Sequence, residues 1–483
     1  MRKKSIGINA VLNVIKSGLS VVFPLITYPY ALRILGAENI GKVSYSQSVI
    51  SYFSLIAMLG ISTYGTREGA KRKKNVGEFE RFVSETFSIN IFSTLLAYFL
   101  LAITLLFVDK FSDYRTLLLI QSLTIAFSTF GVDWLNQVFE DYFFITMRSI
   151  IAHIICMVML FIFVRKPEDY YFYAFLSITT NLITCVSNWF YSRRYVKIRF
   201  TFHPHWRVHI KPLLILFVNA AAISIYVNVD TTMLGWIKGD RDVGLYTVAV
   251  KVYSIIKTLL AAVYAVSIPR LAAYIGDGQR DKYRNLYSNM WRYLSLIVVP
   301  AGVGLFCISE EVMLFMGGPE YTTASLALQI LAFALIFAIF GGLVTACLNI
   351  TIGREKVNLK ATVISALINI GLNLVFIPCL SFVGAALTTT ISELFVLVYC
   401  VIKTKDISDY LDFGNVRKSL IHALVGSAFM AIASYLLKLV LAPGLYRIVV
   451  VIPVCIFVYT FILGVFREDV FLEVLHRIKL RKK

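Results

Sequence analysis

The feature that most constrains this chain is a series of long apolar runs that continues from one end of the sequence to the other. A span of about 20 apolar residues crosses the hydrocarbon core of a membrane as one helix. We count about fourteen such runs, at 6–34, 43–65, 86–108, 116–138, 144–164, 170–191, 213–237, 245–272, 293–316, 325–348, 360–380, 382–402, 420–440 and 446–466. The chain is 58% hydrophobic and only 16% charged, which excludes an ordinary soluble protein. The sequence therefore predicts an all-α integral membrane protein.

The distribution of Lys and Arg supports this number of spans. Cytoplasmic loops of membrane proteins carry an excess of these residues, and a wrong number of spans would mix the two sides. With the amino terminus inside, 34 of the 47 basic residues fall in cytoplasmic segments, nine fall outside and four lie within spans. We expect both termini to be cytoplasmic. The net charge of +19 is then mainly an orientation signal, helped by attraction to anionic membrane lipid, and a nucleic-acid partner is not needed to explain it.

The two halves of the chain share a weak repeat. A shift of 203 residues places Ile40-Gly41 on Val243-Gly244. Six spans separate the two copies, so both have the same orientation, as in transporters whose lobes are related by an axis along the membrane normal. We predict three parts: an N-lobe of spans 1–6 (1–205), a C-lobe of spans 7–12 (206–405), and an accessory hairpin of spans 13–14 with a basic tail (406–483).

Polar side chains recur on one face of five predicted spans. In span 1, Asn9, Asn13 and Lys16 are four and three residues apart, a spacing that keeps them on one side of a helix. Span 7 carries Asn219 and Tyr226. Similar rows occur in three other spans: Ser122, Thr129, Asp133, Asn136 and Glu140 in span 4, Ser177, Asn181, Thr184 and Asn188 in span 6, and Thr362, Ser365, Asn369 and Asn373 in span 11. Such side chains commonly join packed helices by hydrogen bonds, which is the structural interpretation. Five rows spread over both halves favour a shared water-filled cavity.

Basic residues inside the spans indicate function more strongly. A charge at the centre of a membrane costs about 2.5–3.5 kcal/mol on insertion scales, so it normally faces water or a partner. Lys16 and Lys257 lie near the middle of spans 1 and 8. Lys257 shares a face with Tyr253 and Tyr264, an arrangement suited to a polar head group or a sugar ring. Lys251, nearer the outer end of span 8, is close enough to that end to extend its amine to the membrane surface.

Acidic residues inside the spans are candidates for three different roles. Asp133, Asp230 and Glu393 fit countercharges, gates or ion-coupling sites, and the sequence does not rank these roles. A salt bridge from Asp230 to Lys257 is the structural alternative for that lysine. Arg148 lies at the predicted inner entrance.

Motifs of catalysis or metal binding are not found in the sequence. The seven cysteines are scattered without paired spacing, and His203, His205 and His209 lie in a basic loop, where we expect solvated side chains rather than a metal site. We find no phosphate-binding loop and no nucleophile elbow. We therefore expect no enzyme activity, no metal and no cofactor.

Several stretches of the chain resemble the bacterial Wzx-type flippases, which are polysaccharide transporters of the multidrug/oligosaccharidyl-lipid/polysaccharide exporter superfamily. These stretches include PLITYPYALRILGAENIG at Pro24 to Gly41, Asp133 to Gln137, Tyr226 to Asp230, and Gly384 to Glu393. The resemblance covers nearly the whole chain in the same order. It implies a MATE-like fold of two six-helix lobes, here followed by the two-helix hairpin.

The resemblance also implies a function. Such a protein moves an undecaprenyl-pyrophosphate-linked oligosaccharide, destined for O-antigen, capsule or a related glycan, to the outer leaflet of the bacterial inner membrane by alternating access. Implied partners are this lipid-linked substrate, membrane lipid, a proton or sodium ion, and the polymerase and glycosyltransferases of the pathway. The candidate pyrophosphate ligands are Lys16, Lys257, Lys251 and Arg33. The candidate cavity residues for the sugars are Asn9, Asn13, Tyr253, Tyr264, Asn219 and Tyr226. The candidate gating or ion-coupling residues are Asp133, Asp230, Glu393 and Arg148.

Three alternatives stay open. A drug or cation antiporter of the same superfamily would rely on carboxylates and aromatic rings rather than on several lysines. A polymerase or ligase would need a large outer loop for its catalytic residues, whereas every predicted outer loop here is short. The third is a flippase for lipid II or teichoic acid, which sequence alone distinguishes poorly from a flippase for O-antigen or capsule units.

Overall fold

A computed structural model of the chain describes the backbone of residues 6–404 and 407–473, and the side chains from residue 18 onward except residues 20 and 408. Within these residues every regular element is helical. The chain divides into two compact units, Met1–Gly244 and Leu245–Lys483. The predicted three-part division at residues 205 and 405 stays a prediction.

Unit 1 is built around its first helix. Its helices are α1 (Ile6–Met58), α2 (Ile61–Arg72), α3 (Val76–Phe107), α4 (Arg115–Gly131), α5 (Trp134–Val138), α6 (Tyr142–Phe163), α7 (Tyr170–Ser192) and α8 (Trp206–Ile237). Helix α1 packs against α3, α4, α6 and α8, and α4 packs against α7. Side chains from several helices therefore converge along α1.

Helix α1 contains two of the predicted spans because a single residue bends it. Gly36 has φ 74° and ψ 169°, a backbone conformation that glycine adopts without a steric penalty. The connection between the first two predicted spans is thus limited to Gly36, and the helix resumes at once. A second glycine with positive φ, Gly60, separates α1 from α2.

Two glycines of the sequence repeat meet in unit 1. A Cβ built on Gly41 would overlap the carbonyl oxygen of Asp240, and one built on Gly244 would overlap the carbonyl oxygen of Ala37. These residues lie where α1 passes the beginning of α9 (Asp240–Ala265). The repeated glycines therefore have a packing reason: each allows one backbone to approach the other.

Unit 2 begins within α9. It continues with α10 (Ile268–Gly276), α11 (Arg280–Cys307), α12 (Ser309–Gly317), α13 (Ser325–Gly342), α14 (Glu355–Lys403), α15 (Ile407–Tyr410), α16 (Phe413–Val440) and α17 (Tyr446–Val465). Helix α11 packs against α13 and α16, and α13 packs against α14. Helix α14 bends at Ser381, with φ 51°, close to Pro378, where we expected two spans to divide.

The described helices account for the predicted spans. Eleven of them are long and apolar enough to cross a membrane. Two of the eleven, α1 and α14, each contain two predicted spans, and α7 matches the sixth predicted span although it is not among the eleven. The prediction of about fourteen spans in an all-α protein is confirmed.

Ion pairs attach α16 and α17 to the rest of unit 2. The buried carboxylate of Glu311 in α12 lies 2.8 Å from Lys438 Nζ and 3.3 Å from Arg447 Nη1. At the other end, the buried Glu468 accepts a hydrogen bond of 2.6 Å from Ser419 Oγ in α16 and lies 3.8 Å from Arg292 Nη2 in α11. The C-terminal hairpin is thus held at both ends.

Candidate functional site

Lys257 in α9 forms an ion pair with Glu393 in α14. Its Nζ lies 2.6 Å from Oε1 of Glu393, and the hydroxyl of Tyr253, one turn earlier, donates to the same oxygen at 3.0 Å. Lys257 Nζ also donates to that hydroxyl at 3.1 Å. The predicted common face of Lys257 and Tyr253 is therefore present, and both side chains point at one carboxylate.

The two members of this pair differ in exposure. Glu393 is only 7% exposed, whereas 36% of the Lys257 side chain is accessible. Two hydrogen-bond donors compensate the buried carboxylate, which would otherwise carry a large desolvation cost. The accessible member of the pair is therefore Lys257. In unit 2 the lysine is thus partly accessible, whereas the glutamate that neutralises it is buried.

Tyr264, the other aromatic candidate on α9, lies in a different environment. Its hydroxyl packs closely against Gly342, where a Cβ would overlap it. Gly342 is followed by a π-helical turn at Leu343–Asn349. The proposed contact of Tyr264 with sugars stays a prediction.

In unit 1, Asp133 and Arg148 belong to a hydrogen-bonded network. Arg148 Nη2 lies 2.9 Å from Asp133 Oδ1, and Asn188 Nδ2 donates to the same oxygen at 3.1 Å. Asn136 donates to Asn188 Oδ1 at 2.8 Å, and Arg148 Nη1 donates to that oxygen as well. Two of the candidate gating residues are therefore in direct contact. The sequence analysis had already placed Asn136 and Asn188 in the polar rows of spans 4 and 6.

The backbone explains how Asp133 reaches this position. Helix α4 ends at Gly131, and Val132 adopts φ 37° before α5 begins at Trp134. Irregular backbone within a membrane protein is tolerated where it is buried in protein or lines a water-filled cavity. A cavity of about 170 Å³ lies here, lined by Asp133, Asn90, Ser128, Asn181 and Thr184 among others. The side chain of Asp133 is 39% exposed and that of Arg148 only 7%. Asp133 is therefore the accessible member of this ion pair.

A second polar cavity of unit 1, of about 240 Å³, shares Asn181 with the first. We call it the Gln121 cavity, after the glutamine of α4 that lines it. Polar rows of the predicted spans supply part of both linings, through Ser177, Asn181 and Thr184. Another row member joins helices: the hydroxyl of Thr129 in α4 lies 2.7 Å from that of Thr94 in α3. Within unit 1 the rows thus supply both cavity linings and contacts between helices, and a water-filled cavity shared by both halves stays a prediction.

Unit 2 contains an apolar cavity of about 490 Å³. Its lining comes from α9, α11, α16 and α17 and includes Val252, Pro300, Met430, Cys455 and Tyr459. Cavities lined in this way bind hydrocarbon groups. The C-terminal hairpin therefore forms one wall of a site suited to an acyl or prenyl chain.

The remaining candidates are dispersed. Arg33 on α1 and Asn219 on α8 are exposed, Lys251 and Tyr226 are half-buried, and Asp230 is buried. The side chains of Asn9, Asn13 and Lys16 lie outside the described residues. The roles assigned to all of these residues stay predictions.

Two of the three loop histidines, all of which we expected to be solvated, form a network with a distant glutamate. His209 is buried; its Nε2 lies 2.9 Å from Glu85 Oε2 and its Nδ1 lies 2.8 Å from the hydroxyl of Tyr64. His205 Nδ1 lies 2.7 Å from the other oxygen of Glu85. Glu85 belongs to α3 and is far away in sequence, so inspection of the loop alone could not identify it. No cluster of three or more metal-ligating side chains occurs among the described residues.

Sequence analysis also missed the residues of the Gln121 cavity on α1. Gln47, Ser51 and Ser54 all line it. They are four and three residues apart, the same one-face spacing that we used for span 1. The spacing is therefore visible in the sequence, although Gln47, Ser51 and Ser54 include no charged residue that would mark a functional site.

Two family models match the chain. One, described as polysaccharide biosynthesis protein, matches residues 3–275, and the other, MatE, matches residues 216–375. Curated relatives agree. A putative O-antigen transporter of Escherichia coli is 23% identical over 342 residues, which cover 68% of this chain and 80% of the relative. A probable low-salt glycan biosynthesis flippase of Haloferax volcanii is 29% identical over 174 residues, covering 35% of each chain.

Solved structures give the fold. The lipid II flippase MurJ in an inward closed conformation superposes with a TM-score of 0.76 at 16% identity, covering 96% of this chain and 99% of that one. A multidrug resistance transporter of the MATE family in an inward-facing conformation gives a TM-score of 0.61 at 17% identity, covering 83% and 98%. The predicted MATE-like all-α membrane fold is confirmed.

Proposed function

The chain belongs to the polysaccharide biosynthesis protein family, whose model matches residues 3–275 of its 483, and on this basis we propose that it is a flippase for lipid-linked oligosaccharide. In this proposal it moves an undecaprenyl-pyrophosphate-linked repeat unit from the cytoplasmic to the outer leaflet of a bacterial inner membrane by alternating access. The named relatives are transporters and flippases rather than enzymes, and the proposed activity is transport without catalysis.

The single observation that carries the proposal is the Lys257–Glu393 pair. Glu393 neutralises Lys257, while 36% of the lysine side chain stays accessible. A pyrophosphate offers the lysine ammonium group more charge and more acceptor oxygens than one carboxylate, and charge-assisted hydrogen bonds are the strong ones. Lys257 can therefore bind the substrate anion without leaving Glu393 unpaired, because Tyr253 still donates to it.

Two further features suit a lipid-linked anion. The apolar cavity of unit 2 has the lining that part of a prenyl chain requires. With the cytoplasm negative, outward movement of an anion is assisted by about 2.3 kcal/mol per charge per 100 mV. A proton or sodium ion at Glu393 or Asp133 would then serve to return the empty carrier. Glycosyltransferases that build the repeat unit, and a polymerase that consumes it, are the partners of this step.

The test is transport by substituted protein in proteoliposomes. A fluorescent undecaprenyl-pyrophosphate oligosaccharide is placed in one leaflet, and its appearance in the other is measured with a membrane-impermeant glycosidase. We expect Lys257→Gln and Lys16→Gln each to reduce the rate at least tenfold while the protein still inserts in the membrane. Lys238→Gln is the matched control, because Lys238 is an exposed residue at the end of α8. Full activity of the Lys16→Gln/Lys257→Gln double variant would overturn the assignment.

A drug or cation antiporter is the second candidate, favoured by the MatE match over residues 216–375. It predicts proton- or sodium-driven export of a cationic dye such as ethidium from the same proteoliposomes. Dye export that depends on Asp133, together with absent glycolipid transport, would favour this function over the first.

A further inference from the structure

The Gln121 cavity has a lining that differs from the charged sites. It is formed within unit 1 by side chains of three helices: Gln47, Ser51 and Ser54 of α1, Gln121 and Thr124 of α4, and Asn181 of α7. None of its lining residues is charged. Recognition in this cavity therefore has to use hydrogen bonds rather than ion pairs.

Gln121, which lines the cavity, carries a buried acceptor without a partner among the described residues. Its side chain is 1% exposed, and its Nε2 donates to the carbonyl oxygen of Val43 at 3.0 Å. Its Oε1 has no hydrogen-bond partner among the residues that the structure describes. An unsatisfied buried acceptor is destabilising, and such groups normally have a protein or water partner. A molecule in the cavity that donates a hydrogen bond would remove this cost.

The chemistry of the lining narrows the class of that molecule. Amide and hydroxyl side chains both donate and accept hydrogen bonds, and so do the hydroxyl and acetamido groups of sugars. The cavity, with a volume of about 240 Å³, has room only for a small ligand of this kind. Ile50 and Ile178 complete the lining and offer an apolar surface to the carbon face of a ring.

We propose that the Gln121 cavity is a saccharide subsite, which binds one uncharged sugar ring of the lipid-linked substrate. Gln121 Oε1 accepts a hydrogen bond from a sugar hydroxyl or acetamido N–H, and Gln47, Ser54, Thr124 and Asn181 bond the remaining polar groups. The inference rests on the proposed function and adds to it the part of the substrate that unit 1 recognises.

The experiment compares two lipids on the full-length protein in nanodiscs. Undecaprenyl pyrophosphate carrying N-acetylglucosamine or galactose is titrated against undecaprenyl pyrophosphate without a sugar, and the dissociation constants are measured with radiolabelled lipid. We expect the wild-type protein to bind the better sugar-bearing lipid about tenfold more tightly than the bare lipid. Gln121→Leu should abolish this preference and leave binding of the bare lipid unchanged.

Two further variants keep the test decisive. Gln121→Leu also loses the hydrogen bond to Val43, which could affect the fold. The double variant Ser54→Ala/Thr124→Val removes only hydroxyls that line the cavity, and it should lose most of the preference for the sugar-bearing lipid. Gln329→Leu, at a half-buried glutamine of α13 in unit 2, is the matched control and should keep the preference.

The outcomes separate the two proposals. If the wild-type protein binds neither kind of lipid, the proposed function fails and the subsite fails with it. If the wild-type protein binds both lipids equally, or if both cavity variants keep the preference, the subsite is overturned while the flippase function stands. A cavity that holds only water predicts the second result.

Discussion

Individual charged residues of this chain fall into two groups when the exposure of each ion pair is compared. The Glu311–Arg447 pair is closed, with 3% and 10% of the two side chains exposed. The Lys257–Glu393 pair is open on one side, since 36% of the lysine side chain is accessible. A closed pair has no face on which a ligand can act, so its role is structural. An open pair keeps one charge available, and we therefore assign ligand contact to Lys257 and not to Arg447.

Glu311 provides a prediction at the residue scale. Removal of one member of a buried ion pair costs about 3–5 kcal/mol because the partner is left uncompensated, and Glu311 faces two cations, Lys438 and Arg447. We expect Glu311→Gln to lower the thermal unfolding temperature of the purified protein clearly. Its neighbour Glu310 is exposed, so Glu310→Gln is the matched control and should leave that temperature unchanged. Equal melting of the two variants would contradict a structural role for the Glu311 pairs.

The glycines of the sequence repeat provide a second prediction. A Cβ on Gly244 would overlap the carbonyl oxygen of Ala37, which is backbone and cannot rotate away. Gly244→Ala should therefore force α1 and α9 apart and lower the unfolding temperature. Gly371 in α14 has no atom within 4 Å of its built Cβ, and Gly→Ala within a helix otherwise stabilises by about 0.5–1 kcal/mol. Gly371→Ala should therefore raise the unfolding temperature slightly. An unchanged unfolding temperature of Gly244→Ala would disprove the close contact between α1 and α9.

At the scale of elements, the sequence predicted which segments are helices better than it predicted where they bend. Long apolar runs located all fourteen spans, because a segment that crosses a membrane is apolar and must satisfy its backbone hydrogen bonds internally as a helix. The bends at Gly36 and Ser381 depend on one dihedral angle each, which composition does not encode. For the same reason Asp133 and Arg148 were identified as separate candidates, while the turn at Val132 that helps to bring them together was not.

The network around Asp133 joins the elements α5, α6 and α7, and its strength is measurable by a double-mutant cycle. Contacting residues in one network couple by about 0.5–3 kcal/mol. We expect Asp133→Asn and Arg148→Gln each to lower stability, and the double variant to lower it by less than their sum. The exposed helical pair Lys42–Glu38, with 30% and 67% of its side chains accessible, is the control cycle, because such pairs couple by only about 0.3–0.5 kcal/mol. Additive effects at Asp133 and Arg148 would show that the network does not hold these helices together.

At the scale of the whole molecule, the proposal assigns each loop to one side of the membrane. It places the basic loops in the cytoplasm, while the membrane potential assists an anion toward the positive side whichever way the protein is inserted. The charge distribution, with 34 of 47 basic residues in the predicted inner segments, is the evidence for this orientation. It is also the part of the proposal that sequence supports best, since the positive-inside rule requires no knowledge of packing.

Reporter fusions test this orientation directly. We expect alkaline phosphatase to be active when fused after Gly239, between α8 and α9, and inactive when fused after Gly278, between α10 and α11. Green fluorescent protein should give the reverse pattern at these two positions, because it becomes fluorescent in the cytoplasm and not after export in unfolded form. Phosphatase activity only after Gly278 would invert the topology and contradict the orientation that the basic residues predict. Activity at both positions would mean that α9 does not cross the membrane, which would remove Lys257 from any transport path and with it the proposed pyrophosphate site.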